Sequence, residues 1–284
     1  MENAEVVASP PRHRMSSRQR LLFFVTAWLI VLMPFLFWWN TWFGRHLTDK
    51  QMTEYLRDAQ HPRHIQHALI QLGERMSQRD AGVKSYYPEL IRLAKNPVEE
   101  VRNTDGWVMG QDTQGVGFHE ALLAMLNDPS PMVRGNAALS LVRFGDATGR
   151  PQIVALLQPS TVTAPSEGVI SDASKPGTAI HQGGLVAKIT SGGESTEVRS
   201  PIPGRIQSLF VGTGQQVGVN EPVAVIQPET EQVWDALRAL YVVGQLEDLE
   251  FVEPYQRELR EIPDRVRQQA KATANAIRER AQKP

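Results

Sequence analysis

The chain has 284 residues, with 30 Lys and Arg against 31 Asp and Glu, a formal charge of −1, and no cysteine. Near-balanced charge argues against nucleic acid as a partner, since that needs a concentrated basic surface. The missing cysteines exclude disulfides, thiolate metal sites and a cysteine nucleophile, although they leave the compartment open.

Leu21–Phe43 reads LLFFVTAWLIVLMPFLFWWNTWF and carries no charged residue. As a helix it reaches about 34 Å, enough to cross a bilayer core of about 30 Å. The apolar run is longer than a signal-peptide core and no small-x-small cleavage pattern follows it. Trp38, Trp39 and Trp42 crowd its far end, where amphipathic rings sit at headgroup level. Pro34 lies inside, as membrane helices tolerate. The segment therefore reads as a retained single span in contact with lipid. Arg12, Arg14, Arg18 and Arg20 precede it, whereas Arg45, Lys50 and Arg57 follow among acidic residues. This bias points to a cytoplasmic tail over residues 1–20 and translocation of everything after the span. In a bacterial inner membrane that would place the large C-terminal part in the periplasm.

Residues 51–158 show apolar residues at helical spacing. LAKNPVEEVRNTDGWVMGQD (Leu93–Asp112) and LNDPSPMVRGNAALSLVRFGD (Leu126–Asp146) repeat at an offset of 32, each with Pro followed five residues later by Arg: Pro97 with Arg102, Pro129 with Arg134. Asn96-Pro97 and Asp128-Pro129 predict a helix start made of an Asx cap and a proline in the first turn. Val101 and Val133 point inward, and Gly145-Asp146 closes the second unit. Ile65–Gly73 reads as an earlier degenerate copy. Helix pairs of this kind bury their apolar faces by stacking. The D-P-x-x-x-V-R pattern resembles HEAT repeats, which implies an α-solenoid that binds protein. The weaker unit has Asp105-Gly106 where the better one has Ala137-Ala138.

From Gln158 the helical period disappears and Thr, Ser, Gly, Pro and Val dominate. Two stretches, Thr161–Ile189 and Glu197–Ile226, superpose. Val162 meets Val198, Pro165 meets Pro201, Gly168 meets Gly204 and Ile170 meets Ile206. With one residue inserted, Gly177 meets Gly214, Ile180 meets Val217, Val186 meets Val223 and Ile189 meets Ile226. This predicts a duplicated barrel of short strands over residues 161–228, with pseudo-twofold symmetry. The tandem P-x-x-G halves resemble the biotinyl/lipoyl domain and its relative in HlyD-type periplasmic adaptors, the membrane fusion proteins. Carrier members of the family imply a lysine at the turn between the halves, but here that link, Thr190–Glu197, has Gly193 at the position and no lysine. Lys188 reads as a strand lysine, with Lys175 and Lys188 the only residues kept as modification sites for an acyl or carboxyl carrier reading. Exporter adaptors imply a long helical hairpin in that link, and eight residues cannot hold one.

Helical spacing returns over residues 229–284, with Val233, Leu237, Leu240 and Tyr241 on one face and Gly244 at the end, as in another HEAT-like unit. Ile262–Lys283 has a thin apolar stripe and reads as a solvated terminal helix.

His61, His64 and His67 follow at i, i+3 and i+6, but the outer two lie about 240° apart on a helix, too far to share one ion. They read as a surface helix start, with His61 and His64 kept as minor metal candidates. No nucleophile elbow, phosphate loop or dinucleotide motif is present, so no catalytic, cofactor or metal site is assigned. The fold expected is α+β: a membrane helix, a HEAT-like solenoid, and a lipoyl-like barrel inserted before the C-terminal helices. The function expected is a non-enzymatic envelope adaptor or scaffold that binds protein, including an inner-membrane complex or further copies of itself. Subunits of an exporter, or of a carrier complex, are the alternatives. Trp107, Phe118 and Phe210 are the candidate contact residues.

Overall fold

A computed structural model describes residues 16–40, 46–259 and 261–282, with backbone alone for 36–40. Arg12, Arg14, Trp42, Arg45, Lys283 and the end of the expected span, residues 41–43, lie outside the described residues. The chain divides into two compact units between Thr48 and Asp49.

The first unit contains helix α1 (Ser17–Asn40), which starts about one turn before the uncharged run and includes Arg18 and Arg20. Ser16 opens it with a reciprocal cap: its hydroxyl accepts from Gln19 N, and Gln19 Oε1 accepts from Ser16 N. Leu21, Phe24, Trp28 and Val31 are exposed, and so are Phe23, Ile30 and Met33 between them. A helix apolar on every side has no core-facing stripe. Ser17–Phe35 is long and apolar enough to cross a membrane, and none of it is buried within the protein.

The second unit begins with helices. α2 (Asp49–Leu56) and α3 (Pro62–Ser77) are followed by a 3-10 segment, Ala81–Tyr86, which runs into α4 (Tyr87–Leu93). Then come α5 (Glu99–Met109), α6 (Phe118–Met125), α7 (Pro131–Arg143) and α8 (Arg150–Ala155). α3 packs on α5 and α5 on α7, so the longer helices stack in sequence order. Their facing sides carry Ile65, Leu69, Leu72, Val101, Val108, Val133 and Leu141, all buried. Backbones approach closely where the residues are small. A Cβ on Gly73 would lie 2.7 Å from the Trp107 ring, and one on Gly110 2.4 Å from Ser140 Oγ.

Eight strands follow: β1 (Ser160–Thr163), β2 (Gly168–Ala173), β3 (Ala179–Ile180), β4 (Leu185–Ser191), β5 (Glu194–Arg199), β6 (Gly204–Leu209), β7 (Gln216–Val217) and β8 (Pro222–Pro228). They form two antiparallel four-stranded sheets, ordered β1-β8-β6-β3 and β5-β4-β2-β7. Moving each strand four places along this cyclic order of eight converts one sheet into the other, as a duplicated chain requires. The bulges obey the same rule, falling after Ile170 in β2 and after Ile206 in β6. Ile170, Ile189, Ile206 and Ile226 from both halves meet in one buried cluster between the sheets. The sheets stay separate ladders and no closed barrel forms. β3 and β7 are two-residue strands that end each sheet before it can curl onto the other.

The expected eight-residue link between the halves is shorter than that. Strands β4 and β5 continue to Ser191 and from Glu194, leaving Gly192-Gly193, both with positive φ, as a two-residue turn.

After β8 the chain is helical again: α9 (Thr230–Val243), α10 (Leu249–Val252) and α11 (Asp264–Gln282). α9 packs on α7 and α8 as well as on α11. Gln232 donates to Leu156 O at 3.0 Å, and Arg150 binds Asp248 at 2.9 Å and Glu247 at 2.8 Å. The helix stack thus continues from α8 to α9, while the strands leave and return at one place, since Ser160 pairs with Ile226. The solvated terminal helix expected from the sequence is corrected here. α11 buries Val266, Ala270, Thr273, Ala274 and Ile277, and Thr273 Oγ1 donates to Leu237 O at 2.8 Å. Small residues at helical spacing give a narrow stripe, but they let two helices approach closely enough to bury it.

Candidate interaction surface

The repeated Pro-to-Arg spacing has a geometric cause. Asn96 Oδ1 accepts from Val98 N, and Asp128 Oδ1 from Ser130 N, both at 2.9 Å, so the same Asx turn opens each repeat. Arg102 then folds back to donate to Asn96 O and Pro97 O, and Arg134 to Asp128 O and Pro129 O. Each arginine ties its helix to its own entry turn. Arg102 also reaches the next repeat, gripping Asp128 with Nε at 2.6 Å and Nη2 at 2.9 Å. Burial alone would raise the Asp128 carboxyl, but the bonds from Arg102 and Ser130 outweigh it and hold it below the usual range.

The closing acids also match. Asp112 accepts from Gln114 N and from the Tyr87 hydroxyl, while Asp146 accepts from Thr148 N at 2.7 Å and bonds His119 at 2.7 Å. At each corner an aspartate starts the next turn and ties it to a side chain of a shorter helix. Between repeats, Ser140 Oγ donates to Gly106 O, Asn136 to Asn103 and Arg143 to Gln111. Glu99 at the start of α5 accepts from both Ser130 and Gln182, linking two repeats to the loop between β3 and β4.

On this frame the exposed apolar side chains are informative. Trp107 on α5 is 43% exposed and covers Gly73 of α3; Ile70, one turn before Gly73, is also 43% exposed. Both are half-exposed on long helices that pack together, and Ile70 lies on the same side of α3 as the glycine that the indole covers. A separate cleft of about 610 Å³ lies where α3 and α4 meet the Asn96-Pro97 turn, floored by Pro62, Ile65, Pro88 and Ile91, with Arg92 and Lys95 at its edge.

Of the three residues expected to make contacts, Trp107 is exposed as required. Phe118 is not: it is fully buried, with its ring 4.6 Å from that of Tyr87. As the first residue of α6 it turns inward, because Gly115 and Gly117 let the preceding loop fold over it. Phe210 follows β6 and is 53% exposed. Lys188 stands mid-strand in β4, paired with Glu197 of β5 and away from the turn. His67 is buried in α3 and bonds Gln71, apart from His61 and His64, which both turn to Asp58. Neither Asp58 nor Ile70 stood out in the sequence, since no local pattern marks either.

Asp105 is the misfit of the stack. It is fully buried and neither carboxyl oxygen has a hydrogen-bond partner among the described residues. Burial raises its carboxyl well above 3.8, with Arg92 opposing. The folded state therefore keeps the proton while the unfolded chain loses it above pH 3.8, so this residue costs stability as pH rises. Asp105→Asn is expected to match the parent below pH 3.8 and to gain on it by roughly 1.4 kcal/mol per pH unit above that, up to the raised folded value. Denaturation of both proteins at pH 4 and pH 7 checks it; a gap that does not grow with pH would contradict the burial argument.

Residues 120–147 match the family model of the HEAT repeat. No curated protein matches the chain. Among solved structures, one similar to this chain is a single-chain, multi-domain long-chain acyl-CoA carboxylase, at 15% identity and a TM-score of 0.25. That match covers 54% of this chain and 16% of the carboxylase chain.

Proposed function

We propose that this protein is a membrane-anchored, non-enzymatic scaffold of the bacterial cell envelope. The HEAT-repeat match is the observation that carries this reading, because such repeats generally bind other proteins. The helices form a solenoid whose Ile70–Trp107 patch is the binding face. An aromatic anchor beside an aliphatic one is the usual centre of a protein contact. α1 acts as a single span in the inner membrane, with the tail cytoplasmic and the second unit periplasmic. The duplicated sheets are a lipoyl-like module of the HlyD-type kind, which docks on a membrane complex or on further copies of the chain.

The two-residue turn at Gly192-Gly193 weighs against both alternatives. It offers no docking hairpin for an exporter and no lysine for a carrier. An unmodified mass at Lys175 and Lys188 would end the carrier reading.

The test is gentle detergent extraction through a C-terminal tag, with identification of what co-purifies. Trp107→Ala combined with Ile70→Ser is expected to reduce recovery of the partner at least tenfold while leaving the melting temperature within a few degrees. Undiminished recovery would refute the assignment of this face. Recovery of a transporter would favour the exporter reading.

A further inference from the structure

We propose that Asp58, His61 and His64 form a three-ligand site for a divalent transition metal of the zinc class. α2 ends at Leu56 and α3 begins at Pro62, and the connection coils tightly: Asp58 N donates to Tyr55 O, His61 N to Asp58 O and His64 N to His61 O. These successive turns fold Asp58 back over the first turn of α3, beside the two histidines that share its face. The Asp58 carboxylate lies 2.9 Å from His61 Nδ1 and 2.6 Å from His64 Nδ1. One donor atom from each of the three residues lies within 4.8 Å of the others. A tetrahedral ion with bonds of about 2.0–2.1 Å holds its ligands about 3.3 Å apart, so the carboxylate would part from His61 by about 0.4 Å and from His64 by about 0.7 Å, with the two rings adjusting to each other within the same small range.

The donor set fits the ion. Two imidazole nitrogens and one carboxylate oxygen suit zinc, and three protein ligands leave a fourth position for water. Binding through Nδ1 leaves each neutral imidazole with its proton on Nε2. The site is also held in shape. The Tyr55 ring stacks on His64 at 4.4 Å with an interplanar angle of 9°, which fixes that imidazole. Stability alone gives little reason for the convergence, because the His61 side chain is 61% exposed and surface ion pairs contribute little. His61 is open to solvent, as an entry path requires.

The experiment uses the full chain in detergent, purified through a tag without histidine and stripped with chelator. Zinc chloride is titrated against a chromophoric chelator, and cobalt chloride is followed by its visible absorption. The expected result is one tightly bound equivalent, with affinity lowered at least tenfold in His61→Ala and in Asp58→Asn, and with the cobalt absorption lost in both. His119→Ala, at a different His–Asp pair, should bind like the parent. The helical circular dichroism of His61→Ala should be unchanged, since the residue is exposed. Absence of a stoichiometric equivalent in the parent would overturn the site. So would affinities in His61→Ala and Asp58→Asn within twofold of the parent.

Discussion

Gly204→Ala is expected to destabilise the strand module by about 3 kcal/mol, and Gly168→Ala by a similar amount. A Cβ on Gly204 would fall 2.0 Å from Gln227 O and 3.2 Å from Ile226 Cγ2. A Cβ on Gly168 would fall 2.7 Å from both Thr190 O and Ile189 Cγ2. The two sites correspond under the duplication: each glycine opens the strand that carries the bulge and lies against the long closing strand of its own half. Backbone, unlike a flexible side chain, cannot yield without breaking the ladder that pairs Gly204 with Pro228 or Val169 with Thr190. The control is Gly212, which has open space around its Cβ and no positive φ, so Gly212→Ala should be neutral or slightly stabilising. Urea denaturation of the three variants measures it; a Gly204→Ala protein as stable as Gly212→Ala would show that the close approach is relieved cheaply.

The second large effect is expected at Asp128, where alanine should cost about 3–5 kcal/mol. Its side chain is 8% exposed and that of Arg102 12%, so removing the carboxylate leaves a largely buried guanidinium with only two carbonyls to bond. The same change also removes the Asx turn at Ser130, which opens α7. Arg102→Ala should cost less, because Asp128 keeps its bond from Ser130 N. Arg134→Ala should cost least, since that side chain donates only to the carbonyls of its own turn. The order Asp128, Arg102, Arg134, read from denaturation midpoints, is the test. Equal losses at Arg102 and Arg134 would mean that the link between repeats contributes nothing beyond the entry turn.

What could be read from the sequence follows a physical division. Interactions between near neighbours leave a mark in the chain. The entry turns at Asn96 and Asp128 and the paired glycines of the two strand halves were legible because each depends on a fixed spacing, but the expected cap lay two residues early: Val98 and Ser130 hold the N-cap positions, and Pro131 rather than Pro129 stands in the first turn of α7. The duplication was legible because eight equivalent positions face equivalent surroundings, now seen in the matching sheet orders and bulges. Contacts between distant segments left no such mark. That Phe118 would be buried depends on how Gly115 folds the loop before it. The burial of α11 depends on α9, which sequence periodicity alone does not identify as its partner. Asp58 lies before the helix that carries His61 and His64, so a search for ligands along one helix face passed over it. The indole of Trp107 lies across α3 only because residue 73 is glycine.

The account rests on the helices being the gripping element and the strand module a guest within their stack. The module's first and last strands are paired through Ser160 and Ile226, so residues 160–227 can be replaced by a short Gly-Ser bridge while α8 and α9 keep their contact. The decisive measurement is co-purification from membranes with this shortened chain. The account predicts recovery of the partner held by the Ile70–Trp107 face, whatever contacts of the strand module are lost. Loss of that partner from a shortened chain that keeps its helical circular dichroism would contradict it.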